Sequence, residues 1–153
     1  NGIGRLCGNT VAQLSCTGCH NLNLYIGIGL HKQVNACIQR VRKEQFADRV
    51  LPCIHISGCP SSCGTHQTGA IGFRGGVKMV DKKPNPAFVL YVNGNELQGG
   101  ETMGREAGTI LEAQIPAFLV ELGKTVAASG MTYAQWAAKD PAAIDAVAAP
   151  YIQ

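Results

Sequence analysis

Apolar and polar positions alternate along this chain in three registers. Between Leu22 and about Val50, apolar residues at Ile28, Val34, Ile38 and Val41 are separated by Lys, Gln and Arg, a spacing that predicts an amphipathic helix in the middle of the stretch. Cys37 falls inside that pattern and reads as a small buried hydrophobe. Residues 51–57, LPCIHIS, read as a short strand with Cys53 and His55 on one face and Ile54 and Ile56 on the other. His55 by itself reads as a histidine satisfied within the fold. Gly69 to Phe73 and Ala87 to Val92 predict further strands, and Asn93-Gly94 supplies the residues of a tight hairpin turn leading to Glu96 and Leu97.

Beyond Gly99-Gly100 the pattern becomes helical. Pro116 suits a first helical residue and Gly130 a stop, with AFLVELGKTVAAS between them. Thr132 and Gln135 have the spacing of a capping box for a short helix through Trp136 that ends near Pro141. Asp140 then caps one or two alanine-rich turns. The order of elements predicts an α/β (α+β) fold, a small mixed sheet flanked by helices, in which a strand returning after a helix brings two cysteine loops together. No repeat or linker divides the chain, so residues 1–153 are expected to form a single domain.

A chain of 153 residues can bury a core without staples, and 46% apolar with 15% charged residues describes an ordinary globular domain with few charges. The net charge of +3 is spread out; Arg40, Arg42 and Lys43 are followed by Glu44 and Asp48, which argues for solvated faces and against a nucleic-acid track. No run reaches the roughly 20 apolar residues of a membrane helix, and the start lacks a signal-peptide pattern, so a cytoplasmic protein is expected. Asn1 in place of Met points to a processed product or a piece of a longer protein.

Seven cysteines are an odd number for a disulfide framework, and in a reducing compartment clustered thiols are more often ligands. Cys16 and Cys19 form a CxxC pair in SCTGCHNLNLY; Cys59 and Cys63 form a CxxxC pair in GCPSSC. Both pairs lie in loops containing glycine, where backbone can bend around a metal and point N–H groups at sulfur. Four thiolates in two pairs suit a structural zinc tetrahedron and an iron-sulfur cubane about equally. A plainer reading makes them inert buried cysteines.

The string IHISGCPSSCGTHQTGAIGFRG, Ile54 to Gly75, closely resembles the C-terminal cluster motif of the nitrite and sulfite reductases that carry sirohaem and a 4Fe-4S cluster. SCTG at Ser15 to Gly18 is similar to the first half of that family's other cluster motif, and Met131 to Trp136 resembles its aromatic-x-x-Trp segment. The resemblance covers nearly the whole chain, as the C-terminal part of the family's polypeptide. It implies that Cys16, Cys59 and Cys63 are cluster ligands and that the Cys63 sulfur also bridges to the sirohaem iron. A shared sulfur would pass electrons from cluster to haem for the six-electron reduction of nitrite or sulfite.

The chain departs from the family where a fourth ligand is expected, because that position is Leu22. Cys19 is the expected substitute, with Cys7, Cys53 and His20 as weaker candidates. If no cluster forms, the alternative is a non-catalytic relative that binds zinc, or no metal, through Cys16, Cys19, Cys59 and Cys63 as a structural or interaction module. The basic residues that hold the anion in the family lie in the absent portion; Arg74 reads here as a solvated strand-end arginine. The resemblance therefore implies a missing N-terminal half or second subunit, a ferredoxin or NAD(P)H-linked electron donor, and no useful turnover by this chain alone. GTHQ after Cys63 leans towards the nitrite-type or ferredoxin-dependent members.

Overall fold

The computed structural model describes the backbone of residues 4–7 and 10–12, and residues 39–58, 60–62 and 64–153. Six strands form one mixed sheet: β1 (Gly4–Cys7), β2 (Thr10–Ala12), β3 (Ile54–Ser57), β4 (Ile71–Val80), β5 (Lys83–Val92) and β6 (Arg105–Leu111), in the spatial order β2-β1-β3-β4-β5-β6. Every pairing is antiparallel except β3 with β4, which run parallel with Ile54 beside Ile71 and Ser57 beside Arg74. Parallel neighbours require a crossover connection. Here it is the segment between β3 and β4 that contains Cys59 and Cys63.

Three helices follow the sheet: α1 (Ile115–Ala128), α2 (Tyr133–Lys139) and α3 (Ala143–Ala148). Ile115, Phe118, Leu119, Leu122 and Val126 give α1 a buried face at helical spacing. That face lies on the core face of the sheet, where Phe73 meets Phe88 and Phe118 edge-on with ring centroids 6.4 and 6.3 Å apart. The expected α+β arrangement, a mixed sheet with flanking helices, is the one observed. No helix among the described residues is long and apolar enough to cross a membrane.

The local helix signals act as expected. Pro116 sits in the first turn of α1, and Gly130 (φ +70°) follows its end. Thr132 accepts from the Gln135 N–H while the Gln135 side chain accepts from the Thr132 N–H, a complete capping box. The Asp140 side chain accepts from Ala142 N–H just ahead of α3. Of the helix expected between Leu22 and Val50, residues 39–43 are helical, and the part up to residue 38 lies outside the described residues.

Three expectations about the sheet need correction. The tight hairpin turn is at Asp81-Lys82, between the closing partners Val80 and Lys83, with φ of +50° and +62°. Positive φ at both central residues is the geometry that matches strand twist, and it outweighed the absence of glycine. Asn93-Gly94 instead leads β5 into a broad loop. Asn93 donates its N–H to Ala70 O at 3.1 Å, and Gly94 is needed because a Cβ there would lie 2.4 Å from Gly69 O.

The stretch after Gly100 is also not helical at first, because Arg105–Leu111 pairs with β5 across a register shift at Leu90/Tyr91. Gly108, at φ +145°, packs under the Ile152 side chain at that irregularity. Finally, β3 is shorter than residues 51–57, although His55 and the two isoleucines face opposite ways as expected, and all four of its side chains are buried. Ile54 and Ile56 belong to the core, while His55 and Ser57 on the other face are covered by the crossover segment.

Phe118 is fully buried and touches Phe73 and Tyr151. Phe118→Ala is expected to remove about 3–5 kcal/mol of stability in urea unfolding. Val77→Ala, at a position 50% exposed, is expected to change it by no more than about 0.5 kcal/mol.

Candidate functional site

The four cysteines expected to hold a metal, Cys16, Cys19, Cys59 and Cys63, lie outside the described residues, as do His20 and Leu22. The side chain of Cys7 also lies outside them; its backbone pairs with Thr10. Cys53 is engaged in a disulfide, which removes it from the reserve ligands, since a disulfide sulfur is not a thiolate. Among the described residues, no group of three or more His, Cys, Asp or Glu side chains could hold a metal ion.

The residues around the second cysteine pair are tied to β3. Gly64, directly after Cys63, donates its N–H to Ser57 Oγ at 3.0 Å, and its carbonyl accepts from His55 Nδ1 at 3.1 Å. Both partners come from β3, and both are buried. The chain thus leaves the sheet at Ser57 and is tied back to the same strand seven residues later. Ser62 (φ +58°) and Thr65 (φ +50°) turn the backbone on either side of the tie.

Close approach completes it. A Cβ at Gly64 would stand 2.2 Å from Ile56 O, and one at Gly75 would stand 2.3 Å from Gly58 O. The close approaches at Ile56–Gly64 and Gly58–Gly75 leave no room for a Cβ at Gly64 or Gly75.

A polar layer extends from the tie across the sheet face opposite the helices. Ser57 Oγ also contacts His66 Nδ1 at 2.9 Å, and the buried His66 ring lies 4.9 Å from the Tyr91 ring. Tyr91 donates its hydroxyl to Glu106 at 2.6 Å, and Arg74 lies over the Tyr91 ring while its guanidinium is 3.6 Å from the same carboxylate. Arg74 is therefore not a solvated strand-end residue: β4 continues to Val80, so Arg74 sits mid-strand and is already paired. Burial first, and then the neighbouring Arg74 charge, hold His66 below its ordinary pKa.

Beside this layer, a groove of about 310 Å3 runs past Pro60, Arg74, Lys78, Val89 and Thr109. It runs from Pro60, beside the cysteine loop, to Arg74 and Lys78, four positions apart on β4. Lys78 donates to the Gln153 carbonyl at 2.8 Å, so both cations are held in place by partners at the groove edge. Ser57, His66, Tyr91 and Glu106 were not singled out from the sequence. The period-2 placement of His55 and Ser57 in a strand that ends at a cysteine loop was the available signal.

No family model matches the chain, and no curated protein matches it.

Ser57→Ala leaves the Gly64 N–H and the His66 ring without their shared oxygen and is expected to cost about 1–3 kcal/mol, read by denaturant unfolding. His66 gives a second prediction. Its folded pKa is lowered from 6.5, so the unfolded chain binds the proton more readily and stability falls as pH drops below that value, levelling off below the folded pKa. His66→Gln is expected to flatten this slope, which parallel unfolding series at stepped pH would measure.

Proposed function

We propose that this chain is the 4Fe-4S and sirohaem binding domain of a nitrite/sulfite reductase-type oxidoreductase. The observation that carries the reading is the double tie of Gly64 to Ser57 and His55, which fixes the residue next to Cys63 against a central strand. A sulfur shared by two cofactors needs such support, because a displacement of an ångström changes coupling and ligand strength together. In this reading Cys16, Cys19, Cys59 and Cys63 hold the cluster, Cys19 standing in for the ligand lost at Leu22, and Cys63 bridges to the haem iron.

The cofactors, when bound, supply single-electron steps towards the six-electron reduction of nitrite or sulfite. This chain's own residues do other work. Ser57 and His55 orient the backbone at Gly64, Gly58 and Gly75 allow the loop to lie against β4, and Arg74 and Lys78 place positive charge on the groove beside Pro60. Neither cation is assigned to the anion, since each is paired within the chain. Substrate binding, in this reading, falls to a second half or a second subunit. A ferredoxin or NAD(P)H-linked protein donates the electrons, in a cytoplasmic setting.

Absorption of anaerobically purified protein, with metal analysis, tests this directly. A broad band near roughly 400 nm with about four iron and four sulfide per chain is expected, and Cys63→Ser is expected to abolish it. A colourless protein holding one zinc per chain through the same cysteines would establish the structural module in its place.

A further inference from the structure

A different use of cysteine lies at the start of β3, away from the loop that carries Cys59 and Cys63. Cys53, the residue before β3, is engaged in a disulfide. The strand register points to its partner. β1 runs antiparallel to β3, with Gly4 opposite Ile56, Arg5 opposite His55 and Leu6 opposite Ile54. One further step along both chains sets Cys7, the last residue of β1, opposite Cys53. Directly opposed residues of an antiparallel pair have Cα atoms about 4.5–5.5 Å apart. A disulfide spans Cα atoms about 4.4–6.8 Å apart. Among the described residues Cys7 and Cys53 are the two cysteines, and the register sets them side by side. We propose that Cys7 and Cys53 form a reversible, redox-sensitive staple that fastens the β1–β2 hairpin to β3.

The position of the hairpin gives the staple its effect. β2 and β1 are the two outermost strands on their side of the sheet, β2 has three residues, and β1 meets β3 through three residue pairs. A two-stranded ribbon is marginally stable at best by itself. A covalent link at the end of so short a ladder holds the ribbon docked and keeps the β1 side of β3 covered. The same link closes the stretch from residue 8 to residue 52, which carries Cys16 and Cys19, into a loop.

Access makes the staple reversible. Cys53 is half-buried and lines a cavity of about 750 Å3 together with Leu51, Pro52 and His55, so a small thiol or disulfide can reach its sulfur. Accessible disulfides exchange more readily than enclosed ones. With glutathione disulfide as oxidant, the Cys53 thiolate attacks one of its sulfurs, forming a mixed disulfide and releasing one glutathione thiolate. The Cys7 thiolate then attacks the Cys53 sulfur, forming the Cys7–Cys53 bond and releasing the second. Two electrons pass from the cysteines to the oxidant, and the two protons the cysteines give up end on the two released thiols. Excess reduced glutathione runs the same steps backwards and frees the hairpin.

The staple uses none of Cys16, Cys19, Cys59 and Cys63, so its test is separate from the metal analysis above. Disulfide mapping by tandem mass spectrometry, on the unmodified full chain equilibrated with glutathione disulfide and then alkylated, reads the pairing. A linked Cys7–Cys53 peptide is expected, replaced by two alkylated cysteines after the folded chain is equilibrated with excess reduced glutathione. Urea unfolding reads the fastening. Cys7→Ser, Cys53→Ser and the double variant are each expected to lower the midpoint of the oxidised chain by the same amount, about 1–2 M, because each removes the same bond. The proposal is overturned by Cys53 linked to any other cysteine, by Cys53 recovered as a free thiol from the oxidised chain, by a link that excess reduced glutathione leaves intact, or by a midpoint that Cys7→Ser does not change.

Discussion

The carbonyl and the N–H of Gly64 are both held by side chains of a single short strand, and much of the molecule is arranged to make that possible. His55 and Ser57 can reach Gly64 only because β3 is central, with β1 on one side and β4 on the other. They remain buried only because the crossover segment folds back over them. A buried histidine with no partner costs on the order of 1–3 kcal/mol. The crossover must therefore deliver carbonyl oxygens to Nδ1, and Gly64 and Thr65 do so. The tie and the burial of β3 thus involve the same residues.

The parallel pairing of β3 and β4 follows from the same constraint. An antiparallel hairpin would need only a short turn, and the segment between the strands would then be too short to return across His55. With parallel strands the chain must travel the length of β3 twice, which gives it room to carry two cysteines at one end and to cover the strand on the way back. Glycines mark the narrow points of that path: Gly64 against Ile56, Gly69 against the His55 ring, and Gly72 against the His66 backbone. A side chain at any of them would open the layer.

His55 also joins two regions with different chemistry. One ring nitrogen holds the backbone beside Cys63, and the other faces a cavity at the opposite end of the strand, near Glu96 and Tyr133. The polar layer from Ser57 through His66 to Tyr91 and Glu106 runs at right angles to that link, across the strands. The two paths meet at Gly64, where displacement of the loop would be felt first.

The amino-acid sequence alone dictates the devices that act within a few residues: Pro116 and Gly130 at the ends of α1, the Thr132–Gln135 capping box, and Asp140 before α3. Each depends on a contact between near neighbours, so spacing alone reveals it. The mixed sheet and its flanking helices were legible too, from the strand and helix patterns taken together. Tertiary structure decided the rest. It placed the tight turn at Asp81-Lys82, made Arg105–Leu111 a strand, and paired His55 and Ser57 with Gly64. Those outcomes depend on partners brought together by strand pairing, and a one-dimensional pattern does not contain them: Asn93-Gly94 has turn chemistry, yet what fixes it is the approach of Gly69, a residue on the far side of a hairpin.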